Sequence, residues 1–580
     1  LKTKASLPGD CASPWLGRHR LYLLACAAAA LLIPEFSRAQ TPPDAGSIRQ
    51  QIEQLRRKSL PPKSQPEPES VPSPQLQSLG RDTISVMSFS FVGNTLLTSE
   101  QLTAAVARFT VGRVDFAELQ NAAAAVANAY RQAGWIVRAY LPRQNVTAGV
   151  ITIEIVEATL GAVRVEGDPR RVSANRLKGM VRAAQASGAP VNVEDLDRAL
   201  LLISDLPGVI ATGRLSPGDN HAETDLTLVV QDAALVDGNV TVDNAGARFT
   251  GVSRVIADAS LNGRLGVGDR ADALLLYSEG SEYMRLGYSL PFSRHGWRAG
   301  VNASHLSYNV LTPEFSALDA HGTSTAAGIE VSYPLLRSRL KNLYLGFDAG
   351  EKRFDNKSAG QTSTRYSVQA ATLGAYGNLF DSFFGGGANS ASIALVQGSV
   401  DLSGSPNEAA DALTTRAAGS FQKLRFSASR LQAITDHVAL FASLDGQLAS
   451  KNLDSSQKLY LGGSQGVRAY PENEAGGAEG LLLNLEARAN VADIFTVTAF
   501  LDWGSVRVNK DNDIPGAVAH NSIDLKGAGL SVGWVASFGL HLQATAAQRI
   551  GSNPNSTSNG DDQDGSLVKS RVWLQAGMPF

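Results

Sequence analysis

Cysteine is almost missing from this sequence: only Cys11 and Cys26 occur in 580 residues. Both fall in an N-terminal stretch that reads as a removable secretory signal. Arg18, His19 and Arg20 form its basic start, residues 21–33 are apolar, and Ser37-Arg38-Ala39 is a small-x-small cleavage site before Gln40. The apolar run falls short of the roughly 20 residues that span a bilayer as a helix. It also continues past Cys26, which argues against a lipoprotein signal there. Without residues 1–39 no thiol remains, so a disulfide framework, thiol catalysis and cysteine metal sites are excluded. Charge of one sign is not in excess, with 52 Lys and Arg against 54 Asp and Glu, so no nucleic-acid partner is expected. The eight histidines are scattered without metal-ligand spacing, and no cofactor motif occurs. After about residue 235 long helix-forming stretches are also lacking, while glycine is abundant at 55 residues. That combination points to strands and turns.

What is present divides the chain. After the signal (1–39), residues 40–59 hold a polar helix over 47–59. Ser47 and Gln50 fit a capping box, and Ile48, Ile52 and Leu55 make a narrow apolar stripe. Such a helix is either solvated or a plug for something larger. Residues 60–82 are a Pro-rich linker carrying Pro61, Pro62, Pro66, Pro68, Pro72 and Pro74. At about 3.1 Å per residue, roughly 20 extended residues reach across a bilayer of about 40–45 Å. Residues 83–158 and 159–233 then repeat one α+β order, strand-helix-helix-strand-strand.

From residue 234 to 580 the pattern is amphipathic strand. Leu481, Leu483, Leu485, Ala487 and Ala489 share one face, opposite Asn484, Glu486, Arg488 and Asn490; Val497, Ala499, Leu501 and Trp503 alternate with Thr496, Thr498 and Asp502. A soluble sandwich shows the same period, so alternation alone does not decide. Connection lengths do. About sixteen strands are expected, with short links after even strands and long ones after most odd strands (308–325, 398–419, 449–480, 505–522, 551–570). Short turns on one side and long loops on the other are how outer-membrane barrels are built. The predicted fold is an all-β transmembrane barrel of about sixteen antiparallel strands, preceded by two α+β units (β-α-α-β-β) and an N-terminal helix.

Specific motifs join this pattern. The repeats resemble POTRA domains, Gly466-Val467-Arg468-Ala469-Tyr470 in the 449–480 loop resembles a V-R-G-[FY] signature, and Phe500-Leu501-Asp502-Trp503-Gly504 resembles a second one. With the linker and N-terminal helix, the mature chain resembles the two-partner (type Vb) secretion transporters of the haemolysin secretion/activation type. The resemblance implies a periplasmic exoprotein partner carrying an N-terminal secretion domain, recognised by the POTRA units and secreted to the cell surface or medium. It also implies an outer-membrane location with the POTRA units in the periplasm, contact with outer-membrane lipids, and biogenesis by the barrel-assembly machinery. Members fold the signature loop into the lumen, where Arg468 meets an inward carboxylate. Asp502 has that parity, so Gly466, Val467, Arg468, Tyr470 and Asp502 form an expected loop latch. Ala469 departs from the usual glycine, so the loop tip needs an ordinary backbone there.

POTRA edges suit strand addition by an extended client, and here the candidates are Tyr130, Trp135, Val137, Tyr140 and Leu141. Packing is the other reading for Trp135 and Tyr140. The resemblance makes Ile48, Ile52 and Leu55 the contact face of a plug. Related classes are a barrel-assembly insertase, which typically has more POTRA units and no plug helix, and a passive porin or nutrient receptor, which needs neither repeat. No enzyme is expected. Both G-x-S-x-G matches, at 462–466 and 529–533, lack the helix a nucleophile elbow requires. The calcium-like stretch 560–565 has Gly560 and Arg571 where end ligands belong.

Overall fold

Alternation of apolar and polar side chains along strands can be satisfied in lipid only if no strand edge is left open. The chain meets that demand. In a computed structural model, which describes residues 42–55, 60, 62 and 83–580 apart from 111, 147, 221 and 493, sixteen antiparallel strands between Val236–Asp243 and Ser570–Pro579 close into one barrel. The expected signal segment, residues 56–59 of the expected helix and almost all of the Pro-rich linker lie outside the described residues.

Closure joins the last strand to the first, from Gln575 opposite Asp243 to Pro579 opposite Asn239. The Asn244 side chain extends the seam, donating to Val572 O at 3.0 Å and accepting from Leu574 N at 2.7 Å. Leu373, Leu395, Leu485, Leu501 and Leu574 project from the wall and are exposed, whereas Lys423, Asn484, Asp502 and Ser531 point inward and are buried. Outer links 310–320, 402–418, 450–478, 508–521 and 550–569 are long, as expected. Two others, 279–280 and 359–360, are tight turns. There the flanking strands themselves carry the chain outward, the longest being Gln361–Asp381 with 21 residues.

The first α+β unit has a sheet in which Val150–Glu157 is central, parallel to Ser88–Val92 and antiparallel to Val137–Tyr140. Its helices Ser99–Val106 and Phe116–Gln132 start at Thr98 and Asp115, each closing a capping box with Gln101 and Glu118 respectively. The second unit repeats the plan with Thr159–Glu166, Ala174–Ala184, Val193–Ser204, Val209–Pro217 and Glu223–Asp232. Backbone bonds stitch the two together: Val193 N donates to Gly134 O at 2.8 Å and Val191 N to Ala158 O at 2.7 Å. Arginines fix the second unit against the short-turn end of the barrel. Arg337 grips Asp205 at 2.8 Å through two nitrogens, Arg339 pairs with Asp197, and Arg198 and Arg176 each donate at 2.6 Å, to Pro334 O and Pro291 O. The α+β units and the short turns therefore lie at one end of the barrel.

Candidate functional site in the lumen

Among the described residues, two pieces of chain that are not wall lie in the lumen: the helix Ala45–Leu55 and the hairpin within residues 450–478. The helix begins earlier than the sequence reading placed it. Asp44 is the capping residue, accepting from Ser47 N at 2.7 Å while Ser47 Oγ accepts from Asp44 N at 3.2 Å. Ser47 is thus the third helical residue of the box rather than its cap, because a carboxylate at 44 is the better acceptor for the free N–H groups of the first turn. Ile48 and Ile52 are buried against luminal Tyr308, Phe354, Tyr366 and Phe421. Arg49, 2% exposed, donates to Ser324 at 3.1 Å, to Ser304, and to Glu53 at 3.0 Å, and Glu53 in turn pairs with Lys352.

The helix is tied to the hairpin as well as to the wall. Ser455 Oγ donates to Asp44 at 2.8 Å, Gln50 donates to Lys458 O at 3.1 Å, and the Gln54 amide both donates to Tyr460 O at 3.3 Å and accepts from Tyr460 N at 3.2 Å. Gly46 allows this approach, since a Cβ there would stand 2.6 Å from Ser455 Oγ and 2.7 Å from Tyr366 Oη.

At the hairpin tip the structure brings Arg468 and Asp502 together. The guanidinium donates to both Asp502 oxygens at 2.9 and 2.7 Å, and the Arg468 backbone N–H adds a third bond at 3.0 Å. Asp502 is fully buried, and Asn484 bridges it to the tip, donating to Asp502 at 2.8 Å and to Gly466 O at 3.2 Å. Sequence reasoning missed Glu486, which accepts from Arg468 at 2.9 Å, Phe500, whose ring centre lies 3.5 Å from the guanidinium carbon, and Trp573, which donates to Arg468 O at 2.8 Å. Parity already put Glu486 on the inward face with Asn484. Val467 and Tyr470 are fully buried, and Arg549 stacks over the Tyr470 ring at 4.4 Å. Ala469 has no left-handed backbone, and its methyl is accommodated by Gly527, where a Cβ would approach to 2.6 Å. Leu55, at the end of the helix, lines the same 610 Å³ luminal cavity as Arg468, Gln465 and Trp573, so the plug face and the latch are neighbours.

Behind the tip, Glu474 is fully buried between the hairpin and the last outer loop, accepting from Gln563 N at 2.8 Å and from Asn553 Nδ2. Burial pushes its carboxyl up to about 8; the Asn553 and Gln563 donors oppose the shift, and Asp562 and Asp564 add to it. The calcium-like acidic stretch has another use in this fold: Asp562 accepts from Arg549 at 2.6 and 2.7 Å and from Arg571 at 2.9 Å.

The expected partner edge lies apart, in the first α+β unit. Val137–Tyr140 is an edge strand of its sheet. Tyr130 is a correction: it is fully buried, and its hydroxyl donates to Glu157 at 3.0 Å, so its side chain belongs to the core. Trp135, Val137 and Leu141 also pack inward, leaving Arg138 and Tyr140 on the other face.

Residues 222–534 match the family described as haemolysin secretion/activation protein ShlB/FhaC/HecB, and residues 84–158 match a POTRA domain, ShlB-type. The heme/hemopexin transporter protein HuxB of Haemophilus influenzae is 25% identical over 86% of this chain and 90% of its own. The outer membrane transporter CdiB of Dickeya dadantii is 24% identical over 67% and 70%. Among solved structures, CdiB from Escherichia coli superposes with a TM-score of 0.68 at 20% identity, covering 94% of this chain and all of that one. BamA from Haemophilus ducreyi, lacking POTRA domains 1–3, gives 0.52 at 14% identity, over 86% of this chain and 100% of that one. These two likenesses bear on fold alone.

Proposed function

This chain belongs to the haemolysin secretion/activation protein family ShlB/FhaC/HecB, and we propose that its luminal hairpin and helix act together as the gate through which it exports its client. It is an outer-membrane transporter of two-partner secretion, its POTRA region periplasmic, and it secretes a partner exoprotein. Its named relatives are transporters.

The finer reading concerns how. The client docks as an extended strand on the free edge Val137–Tyr140, held through backbone bonds, with Arg138 and Tyr140 facing it. It then enters the lumen after the Ala45–Leu55 helix has left. Arg468, Asp502 and Glu486 hold the hairpin tip to the wall so that the vacated lumen has a defined shape. Biogenesis runs through the barrel-assembly machinery, and the apolar wall sits in outer-membrane lipid.

The observation that carries this reading is the buried Arg468–Asp502 pair at the tip of a segment that is itself no part of the wall. Arg468→Ala and Asp502→Ala abolish client export in a secretion assay while barrels still assemble, as judged by heat-modifiable migration. Export at the normal rate by both variants rejects the latch.

A further inference from the structure

The lipid-facing wall is not uniformly covered by large side chains. A depression of about 750 Å³ opens on it, within the roughly 300–1,000 Å³ typical of small-molecule sites. Strand register explains its shape. One row across five strands reads Leu343, Gly377, Ala391, Ala428 and Leu444, each opposite the next. Three small residues thus make a floor between two leucine walls, and Ile393, 52% exposed, stands at the deeper end. The same parity class contains the outward Leu373 and Leu395, so the floor faces lipid and not the lumen.

The mouth of the depression is charged. Two residues nearer the periplasmic turns, about 7 Å along the strands, the next row reads Lys341, Leu379, Asn389 and Arg430. Arg430 is held in place by Asp381 at 2.7 and 3.1 Å and by Asn389 at 2.6 Å, so its charge is balanced. Gly387 leaves room for it, since a Cβ there would lie 2.4 Å from the guanidinium. Lys341 is exposed and has no acidic partner among the described residues. It stands three strand spacings, about 14 Å, from Arg430. One uncompensated positive charge, Lys341, therefore stands just outside the lining of the depression, at the start of its strand beside the short link 338–340.

We propose that this depression is a binding site for one glycerophospholipid of the periplasmic leaflet, its phosphate at Lys341 and an acyl chain over Gly377, Ala391 and Ala428. An apolar trough continuous with the lipid belt takes a hydrocarbon chain, and a net cationic mouth takes an anionic phosphate. A soluble polypeptide has no access to this face, and a lipid without phosphate gains nothing from Lys341.

The purified full-length transporter in detergent is titrated with phosphatidylglycerol, phosphatidylethanolamine or diacylglycerol, and retained lipids are counted by native mass spectrometry. One molecule of either phospholipid stays bound beyond the loosely held annulus, and diacylglycerol does not. Lys341→Gln weakens retention about fivefold, the effect of one interfacial charge, and Ala391→Leu, which fills the floor, removes it. Ala428→Leu gives the same loss independently, and heat-modifiable migration shows that each variant is assembled. Equal retention of diacylglycerol, failure to retain either phospholipid, or wild-type retention by Lys341→Gln and both leucine variants would mean annular lipid only and overturn the site.

Discussion

Removing one partner of a buried ion pair costs roughly 3–5 kcal/mol, less where water reaches the site. Asp502, fully buried and accepting from Arg468 and Asn484, is in the costly class; Glu486, at 11% side-chain exposure, shares its load with Arg488. Asp502→Asn therefore impairs export more than Glu486→Gln does, measured as secreted client per assembled barrel. Glu474 makes a second prediction, about pH. Its carboxyl is raised to about 8 by burial, so the docked loop favours the protonated form. That contribution is complete below the ordinary carboxylate range, and it is lost as the pH climbs through about 8. Channel conductance in planar bilayers rises on the alkaline side, and Glu474→Gln removes that rise; an unchanged alkaline profile in the variant excludes Glu474 as the titrating group. The Arg468–Asp502 contact was legible because a motif and strand parity both pointed to it. Glu474 was not, since nothing local announces that a loop about 90 residues downstream folds over it.

Among the elements, the plug helix is the one whose place the sequence left open. Ile48, Ile52 and Leu55 supply only a narrow face, and a narrow face suits a lumen as well as it suits solvent. The structure adds what periodicity cannot: Arg49 and Glu53, on the polar side, meet Ser324 and Lys352 of the wall. Deleting residues 40–60 raises conductance, and Gly46→Val does so in part by pushing the first turn off Ser455 and Tyr366. Unchanged conductance in the deletion counts against a plug. For the periplasmic edge, photo-crosslinkers at 138 and 140 capture a client fragment, whereas one at 130, in the core, does not. The alternation of Trp135, Val137, Ala139 and Leu141 was readable as a strand. Which of its faces is core was not, because both carry large side chains and only the helices packed on one of them decide.

For the whole molecule, the period-two pattern, the asymmetry of link lengths and the sixteen-strand count carried most of the architecture, since a lipid-embedded sheet has few alternatives to closure. The resemblance implied a helix and a loop in the lumen; what no pattern displayed was that the helix would be bonded to the hairpin and the hairpin to the last outer loop. Export then requires that these leave room for the client inside the cylinder. The most direct measurement places photo-crosslinkers at Arg425, which faces the lumen, and at Leu395, which faces lipid at 53% exposure, and arrests a client in transit. The client crosslinks from position 425 and not from 395; crosslinks from 395 alone, or from neither while export proceeds, would contradict passage through the barrel.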